Sequence, residues 1–115
     1  MNTLGKEGED IAADFLKRKG LIIIKKNYRT VFGEIDIIAK DQEVIVFVEV
    51  KTRTDNAFAH PFEAVNQKKR EKIRKVALCF MKSQKKECPA RFDVLSITRD
   101  SGEPRIEHIK DAFEV

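Results

Sequence analysis

Three ionisable residues stand where the pattern calls for apolar ones. Asp36 interrupts Ile35, Ile37 and Ile38, while Glu49 and Lys51 break into a run that is otherwise apolar from residue 44 to residue 50. An extended chain alternates its side chains, so Glu49 and Lys51 share one face about 7 Å apart, together with Ile45 and Phe47. A hairpin between the two runs, turning through the polar residues 40–43, puts Asp36 on the strand beside Glu49. Burying unpaired charge costs several kcal/mol, so these residues must be used or paired. A divalent cation answers the need, because Mg²⁺ takes hard oxygen ligands and commonly one or two carboxylates, with water and substrate phosphate completing its shell. Asp36 and Glu49 would hold it, and Lys51 would position a water or offset phosphate charge. The competing account is a structural ion pair between Glu49 and Lys51.

Two more side chains could reach the same place. Glu9 sits at the edge of an apolar helical stripe, either leaning toward the packed face or serving as a surface acid near the helix start. Lys69 completes the spacing 62, 65, 69, 73, 76 of a second stripe. Its stem can pack while its ammonium reaches an edge, by plain snorkelling or to contact a phosphate.

The elements that must position these residues follow from periodicity. Residues 3–19 read as a helix whose stripe is Leu4, Gly8, Ile11, Ala12, Phe15 and Leu16, with Lys17–Lys19 in the last turn and Gly20 as the cap. A first strand spans 21–28, and a loop over 29–33 leads into the Asp36 strand. The Glu49 strand runs to Arg53, a polar loop covers 54–60, and Pro61 opens a long helix to Ser83 with Phe62, Val65, Ile73, Val76, Ala77 and Phe80 on one side. Lys68, Arg70, Lys72 and Lys75 should point outward. A basic loop at 83–90 precedes a strand over 91–98, and a short last strand covers 105–109. The strand–helix–strand unit requires its two strands to be parallel with a right-handed crossover.

The 115 residues suit a single domain, 1–115, able to bury a core unaided. Apolar content of 42% and charged content of 37% describe a globular chain. No signal peptide and no membrane-spanning run is evident, so a cytoplasmic location without membrane attachment is expected. Cys79 and Cys88 lack zinc spacing and should be reduced thiols. His60 and His108 are isolated in sequence. The net charge of +4 hides a division, for residues 66–91 carry ten Lys or Arg against Glu71 and Glu87, and the remainder 13 bases against 17 acids. Basicity concentrated on one segment suits a polyanion such as nucleic acid, or else forms a solvated helix face.

With helix, three strands, helix and strand in that order, the chain resembles the PD-(D/E)xK nucleases of the restriction-endonuclease-like fold, and more specifically the YraN-like family. The residues that carry the likeness are 5–12 with Glu9, 27–29, G-E-I-D at 33–36, V-F-V-E-V-K-T-R at 46–53, Lys69, R-F-D-V at 91–94 and K-D-A-F at 110–113. Ile35 stands where the superfamily's motif name has proline. The resemblance implies an α/β fold with a central mixed sheet flanked by helices. It makes Asp36 and Glu49 metal ligands, Lys51 the catalytic lysine, and Glu9 the helical glutamate that assists metal binding in Holliday-junction resolvases.

The function expected is a Mg²⁺- or Mn²⁺-dependent endonuclease on DNA, in preference to RNA, with branched or repair intermediates as substrates. Arg53, Lys69 and Lys72 would grip flanking phosphates. Similar resolvases work as dimers, because a junction presents two symmetric cuts, so a homodimer is one possible assembly, although no self-complementary patch is evident in the sequence. The alternative of another class is a nucleic-acid-binding or partner-docking module that keeps the fold without cutting.

Overall fold

The structure is a computed structural model that describes residues 3–53, 67–99 and 102–113, with side chains in the first helix from residue 7 onward. The order is α1 (Thr3–Arg18), β1 (Ile22–Thr30), β2 (Gly33–Asp41), β3 (Val44–Arg53), α2 (Gln67–Ser83), β4 (Ala90–Thr98) and β5 (Arg105–Phe113). The expected loop 54–60 with His60, and the expected helix start at 61–66 with Phe62 and Val65, lie outside the described residues.

The five strands form one sheet in the order β1-β2-β3-β4-β5. β3 and β4 are parallel, as the strand–helix–strand unit requires, and the other pairs are antiparallel. The apolar run in β3 has its explanation in the two layers that cover the sheet. Val46 and Val48 pack with Leu95 and Ile97 beneath Ala12, Ala13 and Leu16 of α1. Ile45 and Phe47 pack with Phe92 and Val94 beneath Ile73, Val76, Ala77 and Phe80 of α2. A strand covered on both faces has no side to leave polar.

Two local features bring elements to the site. At Gly8, α1 lies against Thr52 of β3, and a Cβ there would clash with Cγ2 of Thr52. Only a residue without a side chain allows that approach, which carries the neighbouring Glu9 toward the end of β3. The second is a break in the sheet. Pairing of β2 with β3 runs from Asp41↔Val44 to Ile37↔Val48 and stops, one position short of Asp36 and Glu49. On the other side of β2, Asn27 adopts φ 53 where the ladder skips it opposite Asp36.

Several boundaries differ from the sequence reading. β1 continues through the expected loop to Thr30, so the turn is only Val31–Phe32. β5 runs four residues past the 105–109 expected, to Phe113, because the irregularity at Asp111, φ 54, bends the strand without ending it. That bend hides the strand's pattern, since burial no longer alternates from residue to residue over 108–113. Arg70 does not simply point outward, for its guanidinium lies 5.4 Å from the centroid of the Phe113 ring. No described helix is long and apolar enough to cross a membrane.

Candidate functional site

The break between β2 and β3 is where the three out-of-character residues meet. Beyond Ile37↔Val48, the Val50 N–H donates to Oδ2 of Asp36 at 2.8 Å, so a side chain occupies the place of a ladder partner. Glu49 and Lys51 follow Ile45 and Phe47 on the face covered by α2. Oε1 of Glu49 accepts Lys69 Nζ at 2.8 Å and lies 3.7 Å from Lys51 Nζ. The side chain of Glu49 is 10% exposed, that of Lys51 24% and that of Lys69 36%. The carboxylate is therefore deep and the amines line a way out to solvent.

Charge in this opening is strongly perturbed. Burial and the adjacent Glu49 charge push the Asp36 carboxyl up to about 7, against the pull of the Val50 N–H, and the Glu9 charge adds to the rise. Asp36 therefore stands close enough to the Glu49 charge for that charge to oppose its ionisation. Burial and the neighbouring Lys69 hold the Lys51 ammonium below the usual lysine range. Burial works on Lys69 in the same direction, yet its hydrogen bond to Glu49 holds it above that range.

The residues singled out from sequence are thus placed as follows. Asp36, Glu49, Lys51 and Lys69 converge on one opening. Glu9 comes from α1, on the other face, and reaches the group through its charge on Asp36. Arg53 ends β3 two residues beyond Lys51, and its carbonyl accepts the Arg99 N–H at 2.7 Å. Lys72 is exposed on α2, one turn past Lys69. Among the described residues no cluster of three or more His, Cys, Asp and Glu side chains forms a ready-made metal site. Two hard carboxylates side by side, with the partly exposed Lys51 and Lys69 next to them, nonetheless fit a divalent cation.

A second polar cluster, on the α1 face, was not foreseen. Asp93, whose side chain is fully buried, accepts from Arg91 Nε at 3.0 Å and from the Asp111 N–H at 3.0 Å, and lies 2.8 Å from His108 Nε2. Arg91 also donates to Asp41 at 3.1 Å. Burial would raise the Asp93 pKa, but His108, Arg91 and the Asp111 N–H together hold it below the usual carboxylate range. His108 is therefore not isolated. Its partner lies fifteen residues away, and only the pairing of β4 with β5 brings them together.

A five-stranded mixed sheet between two helices, with an acidic pair and two lysines where β2 and β3 separate, is an α/β architecture compatible with a restriction-endonuclease-like core. The family model "Uncharacterised protein family UPF0102" matches residues 8–97. The chain is 51% identical over 110 residues to a UPF0102 protein of Thermodesulfovibrio yellowstonii, covering 96% of this chain and 95% of that one. It is 48% identical over 115 residues to a UPF0102 protein of Geotalea uraniireducens, covering 98% and 91%. A UPF0102 protein of Geotalea daltonii is 49% identical over 115 residues, with the same coverage. This chain belongs to the UPF0102 family.

Proposed function

We propose that this protein is a divalent-metal-dependent endonuclease acting on DNA phosphodiester bonds, with branched or repair intermediates as its substrates. The observation that carries the reading is the Asp36–Glu49 pair beside Lys51 at the opening between β2 and β3. Asp36 and Glu49, with Glu9 behind them, would hold Mg²⁺ or Mn²⁺, which supplies polarisation of a phosphate oxygen and acidification of an attacking water.

The chain's own groups then have distinct tasks. Lys51 orients the water or steadies charge developing on the phosphate, and its partial burial makes that interaction stronger than it would be in bulk water. Lys69 neutralises Glu49 in the resting site and would turn toward a phosphate oxygen when substrate arrives. Arg53 and Lys72 contact phosphates to either side, which sets register without reading bases. Two symmetric cuts at a junction would call for two copies of the chain. The same basic helix also supports a second reading, a module that binds DNA in the cytoplasm without cutting it.

Labelled duplex and branched DNA incubated with Mn²⁺ separates the two. The nuclease reading expects cleavage by the wild-type protein that is lost in Asp36→Ala and Lys51→Ala. Binding that survives both substitutions, with no cleavage by wild type, would establish the module instead.

A further inference from the structure

Of the two two-residue turns in the sheet, the one between β1 and β2 carries the less suitable side chains for a turn. Val31 is 95% exposed and Phe32 is 45% exposed, and they are the two residues linking Thr30 to Gly33. Such positions ordinarily hold polar or small residues. The turn is well held, for the Phe32 N–H donates to Oγ1 of Thr30 at 3.0 Å. Gly33 has φ 146, and a Cβ on it would meet Val76 of α2 at 3.8 Å. An apolar tip that is braced and still left in solvent marks an interaction site.

Its surroundings identify the partner. The Lys75 ammonium lies 5.7 Å from the centroid of the Phe32 ring. Phe32, Lys75, Leu78, Cys79 and Lys82 line a 240 Å³ hollow, and Leu78 is 56% exposed. Lys68, Lys72, Lys75 and Lys82 are exposed at spacings of four, three and seven, which places them on one stripe of α2 beside the tip. A second copy of this chain docked here by a two-fold would set lysine stripe against lysine stripe. A polyanion with apolar faces between its charges satisfies both features at once, and nucleic acid is such a polymer.

We propose that Val31 and Phe32 form a wedge that enters the base stack of branched DNA while the α2 lysines hold its phosphates. The inference rests on the nucleic-acid reading above and deepens it by naming the part of the substrate recognised. Asp36 lies four residues from Phe32, about 13 Å at the rise of an extended strand. With one phosphate of a strand per roughly 3.4 Å of helix axis, the wedge stands about four nucleotides from the bond to be cut. Apolar side chains inserted at base steps unstack them, and a branch point is where stacking is already interrupted. The protein would thereby cut at a set distance from a discontinuity without reading sequence.

The test uses a four-way DNA junction and a linear duplex of matched sequence, each with 2-aminopurine at the corresponding step, titrated with full-length protein in EDTA. Wild type should brighten the 2-aminopurine of the junction and bind it roughly tenfold or more tightly than the duplex. Val31→Ser with Phe32→Ser should abolish the brightening and the preference, and Phe32→Leu should keep both. Binding with no brightening, or brightening that persists in the double serine variant, overturns the wedge while leaving the nucleic-acid reading intact. Absence of binding to either DNA overturns both. A wild-type dimer that sediments as a monomer in the double variant assigns the tip to self-association and overturns the proposal, as does brightening of a matched RNA junction but not the DNA one.

Discussion

At the scale of single residues, the defining quantity is the conflict between Asp36 and Glu49. The Glu49 charge raises the cost of ionising Asp36, and Lys69 and Lys51 make their ion pairs with Glu49. Asp36→Asn removes the conflict while keeping an oxygen for the Val50 N–H, so the metal-free protein should melt at a higher temperature than wild type in calorimetry. The same substitution should lower cleavage by about 100-fold or more. Lys51→Met should leave stability level or raised, because Glu49 keeps its closer ion pair with Lys69 at 2.8 Å and a partly buried ammonium is exchanged for an apolar side chain of similar length. Its cleavage rate should fall by roughly 10²–10³ in single-turnover kinetics, the scale of losing one preorganised charge at a reacting phosphate.

Asp93 provides the contrasting case, an acid stabilised by its neighbours. Its folded pKa is depressed, so its contribution to stability is present above the unfolded value of about 3.9 and is lost as pH falls through the lower folded value. Urea titrations should show Asp93→Asn destabilised by roughly 3 kcal/mol near neutral pH, with the gap to wild type closing below about pH 4. A gap that is the same at pH 3 as at pH 7 would remove the charge from the explanation.

At the scale of elements, the contact between α1 and β3 should prove sensitive. Gly8→Ala must displace Thr52 or push the helix away, with a cost of about 1–3 kcal/mol by thermal or urea unfolding. It should also weaken cation binding by moving Glu9. The elements themselves were largely readable, because helix stripes and the two-sided apolar strand β3 are periodic signals of burial. The convergence of Asp36, Glu49 and Lys51 was readable for the same reason, as charges in an apolar run stand out. What could not be read was the separation of β2 from β3. It depends on a carboxylate replacing a backbone partner and on Asn27 leaving the usual backbone region, and neither alters the hydrophobic pattern. The length of β5 and the Asp93–His108 contact were hidden by the irregularity that joins them.

For the molecule as a whole, the distribution of charge matters more than its sum. Asp36 and Glu49 meet where β2 and β3 separate, while the exposed lysines of α2 lie along one stripe of that helix. Phosphates bound along that stripe would release counterions, so affinity for duplex DNA should fall steeply with salt. Replacing Lys68, Lys72, Lys75 and Lys82 by glutamine one at a time should each reduce the slope of log affinity against log salt by about 1. Equal slopes for wild type and the quadruple variant would separate the stripe from DNA. The exposed turn at Val31–Phe32 was legible only as two apolar residues in a loop, since its position against Lys75 depends on how α2 crosses the sheet.

The central claim is that the Asp36–Glu49 pair exists to hold a cation. Titration calorimetry with Mn²⁺ on the purified protein near pH 7.5 tests it most directly. One site per chain is predicted, lost in both Asp36→Asn and Glu49→Gln while their circular dichroism stays that of wild type. No heat of binding, or a site that both variants retain, would contradict it.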